Sequence, residues 1–543
     1  MRAFASAFAA ALMLAKPAPA AFPDAPPLSD SLGLYPAGDF VVTTGDLSPI
    51  APSPRLYFAK EWIAVPREGV PVSGFATGMR AADDVRVWSA TPAARERPGQ
   101  RPPLAWLGSP VRIGHARTTP DLQHVVAGGH TAKLTLAPKL PLNGSWADAG
   151  TGRWFADREV ALRGEWRDDA FEARTLWPRD FRIDAAAPVD PLPRDRPADR
   201  ALRELVRSTS GDARHPFLAR PLWEREGSAR AWDGKPVLLV MVNGAQGDDD
   251  EAWGGHFAIG TGRLGAGGAI DDILVDNFYS LDVVSEKGIL AAPTPLDQYL
   301  ADVNSGQAWY RPTALVVAVL SDDAVPARVQ GAFNRVYAQF WRHQLHYQHS
   351  LANCSGISVD TLRALGWRLH ANEPGPGSTA LAWLAFPWAL VTERSLSKAR
   401  VAYEYLTEDR TRLFPSVAFE TIGASLVTLA RDGAGHEAGD LERELARDLE
   451  ALVFVHVPQL PSSRVPGSWP VVSPAEYRGK VPSDPEDRKI IPVLSRPFPS
   501  NLRDDDLLPE TRRPSDLPLY VWVAVAVAAA VALAGWLVRV LRH

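Results

Sequence analysis

Two stretches, residues 235–243 and 313–320, are almost wholly apolar over the length of a strand, and they constrain the fold more than any other part of this chain. A strand with so few polar positions has to be buried. Between them, residues 256–262 and 273–279 read as two more strands, joined by the glycine-rich turn of residues 262–268. A long helix is expected over residues 325–347, and a second helix opens at Cys354. Four strands followed by two helices make an α+β unit.

Cys354 is the only cysteine in 543 residues, so no intramolecular disulfide can form. Apolar residues recur after it at Ile357, Leu362 and Leu365, and Gly366 closes the run. A thiol in the first turn of a helix sits among unsatisfied N–H groups at the positive end of the dipole, which favours thiolate over thiol. A lone cysteine is more often a small buried hydrophobe, so its neighbours decide the reading.

Nucleophilic catalysis by cysteine needs a base and a polar residue that orients the base. His256 is the natural base, since it begins a strand just after the pair Gly254 and Gly255. If the glycine turn folds the second and third strands into a hairpin, the residues opposite His256 fall near 276–279. Alternation admits one of Asn277 and Asp276 to the histidine's face: Asn277 is the first choice, Asp276 the alternative.

The run Asn353, Cys354, Ser355, Gly356, with Leu365 and Gly366 after it, resembles the nucleophile helix of the NlpC branch of papain-like cysteine peptidases. The strand His256, Phe257, Ala258, Ile259, Gly260 is similar to that branch's histidine strand. Here the histidine precedes the cysteine by 98 positions, and Tyr347 stands seven before it. That order resembles the circularly permuted members, which include lecithin retinol acyltransferase-like proteins. Asn353 stands where the NlpC branch has Asp, and no second histidine lies on the third strand. The resemblance implies a thiol hydrolase that cleaves an amide bond of peptide or peptidoglycan type through a thioester. A lipid acyl hydrolase or acyltransferase is the second choice, and an inactive scaffold the third. It also implies an oxyanion site made of N–H groups at the helix start and the Tyr347 hydroxyl. Such donors contribute about 3–4 kcal/mol each.

The rest of the chain frames this core. The net charge of −5 is small and no basic block is present, so nucleic acid is not an expected partner. Residues 1–21 read as an export signal. Residues 22–197 read as a β-rich domain or pair of domains, rich in Pro, Gly, Trp and Arg. Its clearest feature is a hairpin that turns at Asp168 and Asp169 and buries one face, and residues 56–65 and 85–88 look like further strands. The resemblance covers about residues 235–370 and implies a permuted papain-like catalytic domain of antiparallel sheet plus nucleophile helix over residues 198–370. Residues 371–458 read as a helical region to which residues 453–457 add a strand, and residues 459–516 as a proline-rich spacer. Residues 517–540 are apolar and long enough to span a bilayer, with Tyr520, Trp522 and Trp536 near the ends and Arg539 and Arg542 following. The expected fold is therefore α+β with an N-terminal β-rich domain, a helical region and a C-terminal transmembrane helix. It places the globular part outside the cytoplasmic membrane, with cell-envelope peptide or lipid as substrate. No cofactor is expected. His343, His346 and His349 lack a cysteine or acid to complete a zinc set, and Asp248, Asp249, Asp250 and Glu251 read as a solvated loop.

Overall fold

In the computed structural model, the described residues are 26–44, 62–68, 80–138, 147–209, 216–244, 255–278, 292–303, 309–341, 345, 347–348 and 350–462. Two β structures lie face to face. The first is a closed five-stranded barrel of β1 (Val111–Thr118), β2 (His124–Ala127), β3 (His130–Leu136), β4 (Val160–Arg167) and β5 (Ala170–Pro178). The second is a seven-stranded antiparallel sheet. Its strands are β6 (Leu218–Glu224), β7 (Pro236–Asn243), β8 (His256–Arg263), β9 (Leu274–Asp276), β10 (Pro293–Pro295), β11 (Thr313–Leu320) and β12 (Leu449–Val457), in the order β6-β12-β11-β7-β8-β9-β10.

The apolar runs of β7 and β11 follow from their central place in a sheet covered on both faces. Leu238, Val240 and Val242 pack into a helical layer with Val329, Phe333 and Val336, whereas Leu239 and Met241 pack with Leu162, Phe171 and Trp177 of the barrel. Neither face meets water, so no polar alternation survives. The helical layer consists of α1 (Ala81–Ser89), α2 (Ala198–Thr209), α4 (Ala324–Trp341), α5 (Cys354–Ala364), α8 (Pro415–Asp432) and α9 (Asp440–Asp448). The short α3 (Leu296–Ala301) lies toward the barrel. A hairpin of α6 (Pro376–Glu393) and α7 (Leu396–Thr407) follows α5.

Barrel and sheet are tied by buried charges. Arg163 Nε donates to Asp297 at 2.7 Å, Arg174 Nη2 donates to Asp302 at 2.7 Å, and Arg112 Nη2 donates to Asp271 at 2.5 Å. The expected hairpin with one buried face is β4 and β5, but β4 is buried on both faces from Val160 to Gly164. Arg163 goes inward to meet Asp297, a pairing that alternation cannot show.

Three further differences have physical reasons. Residues 85–88 belong to the helix α1, whose Asp84 is locked by both oxygens to Arg335 at 2.7 Å; four residues are too few to carry a period. The helix expected over 325–347 ends at Trp341. The expected transmembrane component of the fold is corrected: among the described residues no helix is long and apolar enough to cross a membrane. The longest, α4, α6 and α8, have 18 residues each, short of the roughly 20 apolar ones a bilayer needs. Residues 517–540, to which the sequence assigns that helix, and residues 1–21 lie outside the described residues. The sheet itself draws strands from residues 218 to 457, so its β12 comes from the far end of the stretch read as a helical region.

Candidate active site

Cys354 is the first residue of α5, and the residues around it explain why the helix starts there. Asn353 caps it: its Oδ1 accepts the Gly356 N–H at 2.8 Å, and its Nδ2 donates to the Leu413 carbonyl at 2.9 Å. Gly356 is small because two carbonyls crowd it; a Cβ there would stand 3.2 Å from Leu351 O and 3.3 Å from Arg412 O. The cap and the close backbone approach hold the thiol at the helix mouth.

His256 opens β8, paired with Asn243 of β7. Ile259 pairs with Asp276 in the β8–β9 ladder, so one step further Asn277 is level with Ala258, on the same face as His256. His256 Nε2 donates to Asn277 Oδ1 at 2.5 Å, which leaves Nδ1 to serve the thiol. Asp276 is on the opposite face, toward α4, and accepts from Gln330 Nε2 at 3.1 Å. Burial pushes its carboxyl well above the usual range. The alternation that left two residues open is thus resolved by register: Asn277 reaches the histidine, Asp276 does not.

The thiol and the imidazole meet. Burial by itself pushes the Cys354 thiol up, but the charge and hydrogen bond of His256, the N–H of Phe257 and the hydroxyl of Tyr347 outweigh it and bring the thiol down from 9.0 to about 6. Cys354, His256 and Asn277 are 4%, 6% and 5% exposed, so these interactions act with little screening by water.

No family model, curated protein or solved structure matches this chain.

Tyr347 also belongs to the cluster. The Cys354 N–H donates to its hydroxyl oxygen at 3.3 Å, and the same hydroxyl favours the thiolate. It therefore lies beside the N-terminus of α5.

Two contributions were not read from the sequence. The Phe257 N–H is a backbone group, which residue type cannot announce. Behind His256 a second polar chain runs through the barrel side: Tyr299 Oη donates to Asn243 Oδ1 at 2.7 Å, and Asn243 Nδ2 donates to Thr313 Oγ1 at 2.7 Å. The Tyr299 and His256 ring centroids are 6.3 Å apart. A signal existed, because Asn243 is the one polar side chain in an otherwise apolar strand. His343, His346 and His349, the acidic run at residues 248–251, and residues 245–254 and 279–291 that flank the site in sequence lie outside the described residues.

Proposed function

We propose that this chain is an extracytoplasmic thiol hydrolase that opens an amide bond of peptide or peptidoglycan type. One observation carries the reading: a thiol in the first turn of α5 lowered to about 6 by the imidazole beside it, with that imidazole held on its far side by Asn277 Oδ1 at 2.5 Å. A thiol, an imidazole that acts on it and an amide that holds the imidazole support acyl transfer as the chemistry.

In this reading His256 Nδ1 takes the Cys354 proton and the sulfur attacks the carbonyl carbon. The carbonyl oxygen becomes an oxyanion beside the Cys354 N–H. The Tyr347 hydroxyl, which accepts that N–H in the free protein, yields it and turns its own proton toward the oxyanion. Collapse breaks the C–N bond, and the imidazolium returns its proton to the leaving amine. Water, deprotonated by His256, then attacks the thioester and releases the acid and the thiol.

A fatty acyl ester would pass through the same thioester, and the exposed apolar face of α6 and α7 favours a lipid as the second reading. Intact-mass analysis after incubation with isolated envelope material separates the two. A peptidyl adduct on Cys354, absent in Cys354→Ala, supports amide cleavage. A fatty acyl adduct transfers the assignment to lipid, and no adduct on a fully folded protein removes the enzymatic reading.

A further inference from the structure

The α6–α7 hairpin stands apart from the reading of Cys354. α7 is rooted beside the segment that leads into the nucleophile helix, where Ser350 Oγ donates to Glu404 at 2.6 Å. α6 packs on α7 through Phe386, Ala389, Leu390 and Ala399. What α6 turns outward is unusual for water: Leu381, Leu384, Trp388 and Val391 recur at helical spacing and are 52%, 51%, 72% and 48% exposed, with Trp383 at 66% along the stripe's edge.

The chemistry of this face selects its partner. From Pro376 to Thr392 the helix carries no charged side chain. Past its end, Arg394, Lys398 and Arg400 are exposed; Lys398 pairs with Glu393 at 2.7 Å and Arg400 with Glu404 at 2.6 Å, so the two helices and their connection carry one cation more than carboxylates. An uncharged apolar stripe bordered by a net positive charge complements hydrocarbon bordered by anionic head groups. Two exposed indoles suit that boundary, since each has an apolar body and an N–H that prefers the polar layer. At about 27 Å, α6 is not apolar enough to cross a membrane, so it lies along the surface.

We infer that the α6–α7 hairpin is a lipid-docking arm that lays the Leu381, Leu384, Trp388 and Val391 stripe into the surface of an anionic bilayer. Its root beside Ser350 then holds the Cys354 segment near that surface.

The test uses the full chain in a Cys354→Ala background, with Leu384→Cys or Trp388→Cys carrying a nitroxide and Val87→Cys on α1, itself 60% exposed, as control. All three positions are on the surface, so folding is preserved. On addition of phosphatidylcholine vesicles containing phosphatidylglycerol, both hairpin labels are expected to gain collisions with oxygen and lose collisions with a water-soluble nickel complex. The Val87→Cys label keeps its aqueous values. High access to both reagents at the hairpin would place it in water, and low access to both would place it against protein, a second copy included. Either result overturns the inference.

Discussion

Position 277 rather than 276 carries the orienting amide because one residue along a strand is one change of face. Asn277 meets His256, whereas Asp276 is buried on the helical side, where Thr261 Oγ1 donates to Gln330 Oε1 at 2.6 Å and Gln330 Nε2 reaches Asp276. Burial pushes the Asp276 carboxyl well above its usual range and so favours its uncharged form, and an amide of the same shape keeps an oxygen to accept from Gln330. Asp276→Asn is expected to leave the rate of Cys354 alkylation within about twofold of the parent and to shift stability by less than about 1 kcal/mol. Asn277→Ala frees the imidazole to rotate and is expected to slow alkylation at pH 7 by at least about tenfold without unfolding the protein, as read by circular dichroism. The residue types were legible from the sequence, because cysteine, histidine and their polar partners are scarce. The choice between 276 and 277 was not, because it depends on a ladder register set by the turn.

At the scale of the element, α5 depends on its cap. Asn353 satisfies the Gly356 N–H and the Leu413 carbonyl together, which ties α5 to the segment before α8. Asn353→Ala loses a cap of about 1 kcal/mol and leaves a buried carbonyl short of a donor for about 1–2 kcal/mol more. Urea unfolding is expected to show a loss of about 2–3 kcal/mol. Asn353→Asp keeps the acceptor but not the donor, and is expected to fall between the parent and the alanine variant. The start of α5 was legible from its cap and its glycine stop, and so were β7, β8 and β11 from their apolar runs. Helix α8 was legible only as part of a helical region and not as a separate helix, since it is buried on most of its circumference and its apolar residues show no clean stripe. The short strand β10, Pro293–Pro295, was not read either; prolines in a three-residue edge strand carry no alternating signal.

In the whole molecule, the candidate site exists because one sheet is pressed between a helical layer and a barrel. The barrel is held by ion pairs in the seam, and Arg163 is the most buried of them, with its side chain 2% exposed and Asp297 at 1%. Removing only the cation strands carboxylates in the interior. Arg163→Met is expected to cost about 3–5 kcal/mol, and the double variant with Asp297→Leu to recover most of it in the same thermal melt. That seam was invisible beforehand: an arginine on an alternating strand looks solvated until its partner 134 positions away is placed. The burial of the barrel face explains why β7 and β11 had to be apolar throughout, so the long-range packing was written into them without naming its partner.

The central claim is that His256 and Cys354, delivered by different layers of this molecule, act on each other. The direct measurement is the rate of Cys354 alkylation by iodoacetamide as a function of pH, for the parent and for His256→Ala. The parent rate is expected to rise with a midpoint near 6, since the thiolate is the reacting form and the thiol is lowered to about 6. Loss of the imidazole is expected to move that midpoint upward, toward or beyond the ordinary thiol value, because burial then acts with less to oppose it. Equal midpoints in the two proteins, or a parent midpoint in the ordinary range near 8.5, would contradict the account.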